Sequence, residues 1–139
     1  MKKIIIINGP NLNLLGKREP NIYGSKSFSS FFNELKEKFQ SQFDLSFFQS
    51  NIEGEIINKL QAVDTKLDAV ILNAGAYTHT SIAIRDTISA SKIKVIEVHI
   101  SNIFAREAFR KNTLLAEVCQ GSISGFGLKS YELALYSFI

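Results

Sequence analysis

Lys3-Ile4-Ile5-Ile6-Ile7-Asn8-Gly9-Pro10-Asn11 opens the chain, and its reading decides the fold. The β-branched run reads as a buried strand, and Asn-Gly-Pro ends it in a loop. Four isoleucines are too few for the core of a signal peptide or for a membrane span. The stretch that follows, residues 8–24, holds both prolines and three of the eight glycines and has neither strand nor helix period. A loop that long in a small domain is usually functional or disordered.

Beyond the loop, apolar runs alternate with segments of helical period. From Ser27 on, Phe28, Phe31, Phe32, Leu35, Phe39 and Phe43 recur at steps of three and four, which predicts an amphipathic helix with a phenylalanine core face. Strands are expected at 45–49, 69–72 and 95–98, with helices at 53–63 and 79–90 between them. Residues 104–119 predict one or two short helices, 122–124 part of a fifth strand, and 128–138 a closing helix. Five strands alternating with helices predict an α/β fold: a doubly wound five-stranded parallel sheet in three layers, α/β/α.

The 139 residues suit one domain, spanning 1–139, and the composition is that of an ordinary globular protein. Sixteen Lys+Arg against thirteen Asp+Glu leave a net charge of +3, with no basic run to suggest nucleic acid. Cys119 is the lone cysteine, so no internal disulfide forms, and a reducing cytoplasm is the expected location. No membrane association is expected.

In doubly wound sheets the binding crevice lies beyond the carboxyl ends of the strands. Asn8-Gly9-Pro10-Asn11, Asn73-Ala74-Gly75 and His99-Ile100-Ser101-Asn102 each follow a predicted strand there. The two histidines, His79 and His99, both fall just after strand ends. The four arginines, Arg18, Arg85, Arg106 and Arg110, avoid the two outlying helices, where lysine carries the charge. An arginine fork suits a fixed carboxylate or phenolate partner.

Other chemistries lack their residues. There is no P-loop or dinucleotide fingerprint after the first strand, no nucleophile elbow, and no histidine–cysteine spacing for zinc. The remaining set of Tyr, Arg, Asn and His suits proton transfer beside a carbonyl without metal or cofactor. Tyr23 shares its loop with Arg18, and a nearby cation makes a phenol a better base. His99 stands two residues after Glu97, so one strand face carries both, and the carboxylate can hold one ring nitrogen. A catalytically silent module that binds a small carboxylate or nucleotide is the alternative from another class.

Five ordered blocks carry a family resemblance. They are Asn8 to Gly16, Arg18-Glu19-Pro20 to Tyr23-Gly24, Gln49-Ser50-Asn51, Asn73 to Ser81, and Glu97 to Asn102. Together they closely resemble the type II 3-dehydroquinate dehydratases over nearly the whole chain. The resemblance implies a flavodoxin-like fold and the dehydration of 3-dehydroquinate to 3-dehydroshikimate in the shikimate pathway. It implies an anti elimination through an enolate, with no cofactor, no metal and no Schiff base.

Carried over, Tyr23 is the base that takes the C2 proton, Arg18 lowers its pKa, and Asn11 stabilises the enolate oxygen. His99, oriented by Glu97, protonates the departing hydroxyl. Asn73 and the amides of Ile100 and Ser101 bind the substrate carboxylate, while His79, Asp86 and Arg110 bind hydroxyls. Arg106 is a neighbouring candidate. The resemblance further implies that residues 8–24 form a mobile lid and that the chain assembles as a homododecamer, a tetramer of trimers. Phe104, Ala108 and Ile52 depart from residues common in the family, away from the catalytic positions.

Overall fold

The computed structural model describes residues 1–17, 21, 25–64 and 68–139. Five parallel strands form one sheet: β1 (Lys2–Asn8), β2 (Phe43–Gln49), β3 (Asp68–Asn73), β4 (Lys94–His99) and β5 (Gly121–Ser124). Their order is β2-β1-β3-β4-β5, so the chain reverses direction across the sheet between β1 and β3. Among the described residues, four α-helices cover the sheet: α1 (Phe28–Lys38), α2 (Glu53–Gln61), α3 (Ile82–Ala90) and α4 (Lys129–Tyr136).

The period of the strands divides the core in two. Ile4 and Ile6 of β1, with Ile71 and Val98, face a cluster built on Phe28, Phe31, Phe32 and Leu35 of α1 and Tyr131 and Leu135 of α4. Ile7, Val70, Leu72 and Val95 face the opposite cluster, with Ile56 and Leu60 of α2 and Ile84 and Ile88 of α3. The isoleucine run is apolar throughout because β1 is covered on both faces, which is how a central parallel strand reads.

Two boundaries shift from expectation, each for a local reason. The phenylalanine stripe continues past the end of α1: Phe39 is the C-terminal cap, and Phe43 already begins β2. Both are buried in the same cluster, so tertiary packing rather than helix period accounts for them. The expected helix at 79–90 is split. Gly75–His79 is a 3-10 turn, and the Ser81 hydroxyl accepts from the Ile84 amide at 2.9 Å, capping α3 at Ile82. His79 therefore stays on the turn at the end of β3. Residues 103–118 contribute three short 3-10 turns (Ile103–Ala105, Ala108–Arg110 and Ala116–Val118) rather than α-helix.

Register brings the strand ends to one edge. Asn8 lies opposite both Gln49 and Asn73, and Leu72 lies opposite Glu97. The Gly9 amide donates to the Asn73 carbonyl at 2.7 Å, so the start of the long loop is tied to the end of β3. That loop is folded where it is described. Leu12–Leu14 forms a 3-10 turn, and Leu12 and Leu15 are buried in the α1 cluster.

Candidate active site

Above this edge lies a cleft of about 660 Å³, counting its open mouth. Asn11, Asn73, His79, His99, Ile100, Ser101, Arg106 and Arg110 all line it. The strand-end loops thus bring together most of the residues the sequence singled out. Arg18 and Tyr23, the expected base and its activating cation, lie outside the described residues.

His99 ends β4, nearly buried, and Glu97 lies beneath it on the same strand face with no exposed surface. His99 Nε2 is 3.1 Å from Glu97 Oε2. The oxygen lies off the N–H direction, so the two groups face each other without an aligned hydrogen bond. With the carboxylate at Nε2, Nδ1 is the nitrogen left for proton exchange. Thr113 Oγ1 donates to Glu97 Oε2 at 2.5 Å, and Ser122 Oγ donates to Oε1 at 2.7 Å. Burial pushes the Glu97 carboxyl up, but the His99 contact and charge, with the two hydroxyls, outweigh it and hold the group below the usual carboxylate range.

His79 stacks on His99 with ring centroids 6.3 Å apart, and its Nδ1–H donates to the Asn112 carbonyl at 2.8 Å. That bond assigns Nδ1 as the protonated nitrogen and leaves Nε2 as an acceptor. Burial lowers the His79 pKa; the Asn112 carbonyl opposes this, and the neighbouring His99 and Arg110 charges add to it. A group with a depressed folded pKa binds its proton more readily once unfolded. Stability is therefore lost as pH falls below His79's ordinary value of 6.5 toward its folded pKa, while the Glu97 contribution is lost only at lower pH, below 4.5. His79→Asn is expected to flatten the decline in Tm between pH 7 and 5; the same slope in variant and wild type would contradict this.

Asn73 is held before any ligand arrives. Its Nδ2 donates to the Tyr131 hydroxyl at 2.9 Å, and its Oδ1 accepts from the Gly75 amide at 3.2 Å. Tyr131 in turn donates to Asn8 Oδ1 at 2.8 Å. Burial raises the Tyr131 pKa, so this phenol stays a neutral donor. On the other side, the Asn11 amide donates to Asn51 Oδ1 at 3.0 Å, with Asn11 in the left-handed region at φ 69°. Gln49 Nε2 bridges the Gly9 carbonyl at 3.1 Å and Asn51 Oδ1 at 3.1 Å. The Gln49-Ser50-Asn51 block therefore pins the turn that presents Asn11.

Within the described residues, neither the Ile100 nor the Ser101 amide donates to another group. Arg106 Nη1 approaches Ser101 Oγ at 3.4 Å. Arg110 Nε donates to Glu107 Oε2 at 2.6 Å. Two guanidiniums and two amides make this end of the cleft suited to an anion. Arg85 is instead a structural arginine, bonded to the Leu114 carbonyl at 2.7 Å and Glu117 at 3.0 Å.

Asp86 does not join the group. It is exposed on α3 and does not line the cleft. Ile84 and Ile88 turn inward, and the residue midway between them on a 3.6-residue helix faces out. Conversely, Thr113, Ser122 and Tyr131 support the site without having been singled out by the sequence, and Asn8, quoted there only as part of the loop after β1, supports it through Tyr131. Only the register offered a signal, by setting Ser122 across from Glu97.

Among the described residues, no group of three or more His, Cys, Asp or Glu could hold a metal ion. Nor is any described helix long and apolar enough to cross a membrane.

Comparison with known proteins places the chain in a family. The family profile described as dehydroquinase class II matches residues 2–139. A 3-dehydroquinate dehydratase of Caldicellulosiruptor bescii is 58% identical over 139 residues, covering 99% of this chain and 96% of the relative. One from Prochlorococcus marinus is 53% identical over 137 residues, with 98% and 94% covered. The crystal structure of the type II dehydroquinase from Butyrivibrio crossotus superimposes with a TM-score of 0.93 at 47% identity, covering 98% of this chain and 96% of that one. On these similarities, the chain belongs to the class II dehydroquinase family.

Proposed function

We propose that the cleft removes water from 3-dehydroquinate by anti elimination, with Tyr23 as base and His99 as acid on opposite faces of the substrate. The family's reaction, the shikimate-pathway step to 3-dehydroshikimate, makes the chain a hydro-lyase. The observation that carries the mechanistic reading is the His99–Glu97 pair: a buried carboxylate kept ionised beneath an imidazole that reaches the cleft. Such a pair stores a proton for a leaving group.

On this reading Tyr23, activated by Arg18, takes the C2 proton, and its electrons move into the carbonyl as an enolate. Asn11, fixed by the Asn51 contact, stabilises the developing oxyanion by hydrogen bonding or through a held water. The enolate then expels the hydroxyl, which takes the His99 proton and leaves as water. Asn73 and the Ile100 and Ser101 amides hold the substrate carboxylate. His79, through its acceptor nitrogen, and Arg110 hold hydroxyls, and residues 8–24 act as the lid of a single catalytic domain. No metal or cofactor takes part.

The experiment is isotopic. Deuterium placed at C2 on the face opposite the leaving hydroxyl is expected to wash out into solvent, and deuterium on the same face to be retained. The reverse pattern would remove the opposed base and acid.

A cytoplasmic location and a homododecameric assembly belong to the same reading. Phe104 and Phe126, both more than half exposed, flank one surface groove that a second copy would cover. A single-chain mass by light scattering would refute the assembly.

A further inference from the structure

Glu97 is the feature of this site that most needs explaining. A carboxylate with no exposed surface ordinarily takes a proton, because burial penalises the charged form. Once neutral, it would no longer present a negative charge to the His99 ring. The His99 ring opposes that outcome most, and two hydroxyls add to it. Thr113 Oγ1 reaches the oxygen that faces His99, at 2.5 Å, and Ser122 Oγ reaches the other, at 2.7 Å.

The direction of the Thr113 bond is fixed by its other partners. A hydroxyl has one proton and two lone pairs. Thr113 Oγ1 already accepts from the Leu115 amide at 3.1 Å and the Ala116 amide at 3.2 Å, so its proton is committed to Glu97. Ser122 is placed by the sheet: β4 and β5 pair in a register that sets it directly across from Glu97. A two-residue turn cap and a cross-strand pair thus converge on one buried carboxylate.

We propose that Thr113 and Ser122 are positioning residues for the elimination, holding the Glu97 carboxylate in place beneath His99 so that the ring stays aimed at the leaving hydroxyl. Neither touches the cleft that holds the substrate. The proposal rests on His99 being the acid and extends that reading to the groups that hold its carboxylate partner. The other groups around the pair are His79, stacked on His99; Arg110, whose charge acts on His79; and Cys119. Burial first, then the Glu97 charge, pushes the Cys119 thiol up to about 12, so it stays neutral and does not compete for the proton.

The test is the pH profile of kcat in Thr113→Val, Thr113→Ser and Ser122→Ala, with His99→Ala alongside. Loss of a hydrogen bond to a charged group corresponds to about one pH unit. Thr113→Val is expected to lower kcat about tenfold and to move the acid limb up by about one unit, with KM little changed. Thr113→Ser, which keeps the hydroxyl, is expected to restore both. Ser122→Ala, which removes no backbone cap, is expected to move the acid limb the same way by less.

An unshifted acid limb in both Thr113→Val and Ser122→Ala would overturn the proposal. So would a Thr113→Ser variant as impaired as Thr113→Val, since restoring the hydroxyl would then restore nothing. If Thr113→Val does not fold, Ser122→Ala alone decides. An active His99→Ala enzyme would instead strike at the acid assignment itself, so the two failures can be told apart.

Discussion

His99→Ala is expected to lower kcat about a thousandfold while leaving KM within a few-fold and the fold intact. General acid catalysis contributes about two to four orders of magnitude, and hydroxide is too poor a leaving group to depart unaided. The side chain is nearly buried at a strand end beside His79 and Glu97 and belongs to neither cluster of the core, so its removal leaves both clusters in place. A substrate in which the hydroxyl is replaced by a group that departs as a stable anion needs no proton. The variant is expected to recover most of its rate on such a substrate. Steady-state kinetics on both substrates provide the check, and an equal loss on both would mean that His99 does something other than protonate.

The second large effect is expected at Gly9. A Cβ there would sit 2.3 Å from the Ala74 carbonyl oxygen and 2.6 Å from its carbon, and both are backbone atoms. The Gly9 amide is bonded at 2.7 Å to the Asn73 carbonyl, so the two segments cannot separate without losing that bond. Gly9→Ala is expected to cost about 3 kcal/mol, the upper range for overpacking, and to lower Tm by about 10 °C. Activity should fall with it, because the displaced segments carry Asn11 on one side and Asn73 on the other. Thermal melts and kcat/KM measure the two effects. A variant with wild-type values for both would show that this contact is not what aligns the loop with β3.

These expectations draw on features that were unequally visible in the sequence. The sheet was legible because Ile4 to Ile7 can only be a strand covered on both faces, and similar runs recur at regular spacing. Phe43 misled the helix reading because buried aromatic residues look alike whether a helix or the following strand carries them. His79 was placed correctly at a strand end, but the boundary behind it was set by the Ser81 cap, a single hydrogen bond.

Among the site residues, Glu97 and His99 announced themselves by alternation along one strand. Thr113 did not: its role depends on a turn that folds back under β4, and no local pattern encodes that contact. Tyr131 sits in the apolar stripe of α4 like any core residue, and only its hydroxyl, shared between Asn73 and Asn8, sets it apart. Asp86, carried over by its position in a motif, is exposed on α3 and is not among the residues that line this chain's own cleft.

The most direct measurement is the ultraviolet absorbance of the purified protein mixed with 3-dehydroquinate, with a parallel sample pretreated with borohydride in the presence of substrate. Dehydration creates an enone conjugated with the ring carbonyl, so absorbance is expected to grow at the same rate in both samples, because an enolate route leaves no imine to trap. Loss of activity after borohydride would reveal a covalent lysine intermediate and contradict the tyrosine–histidine mechanism. Folded protein that produced no enone at all would contradict the catalytic reading itself.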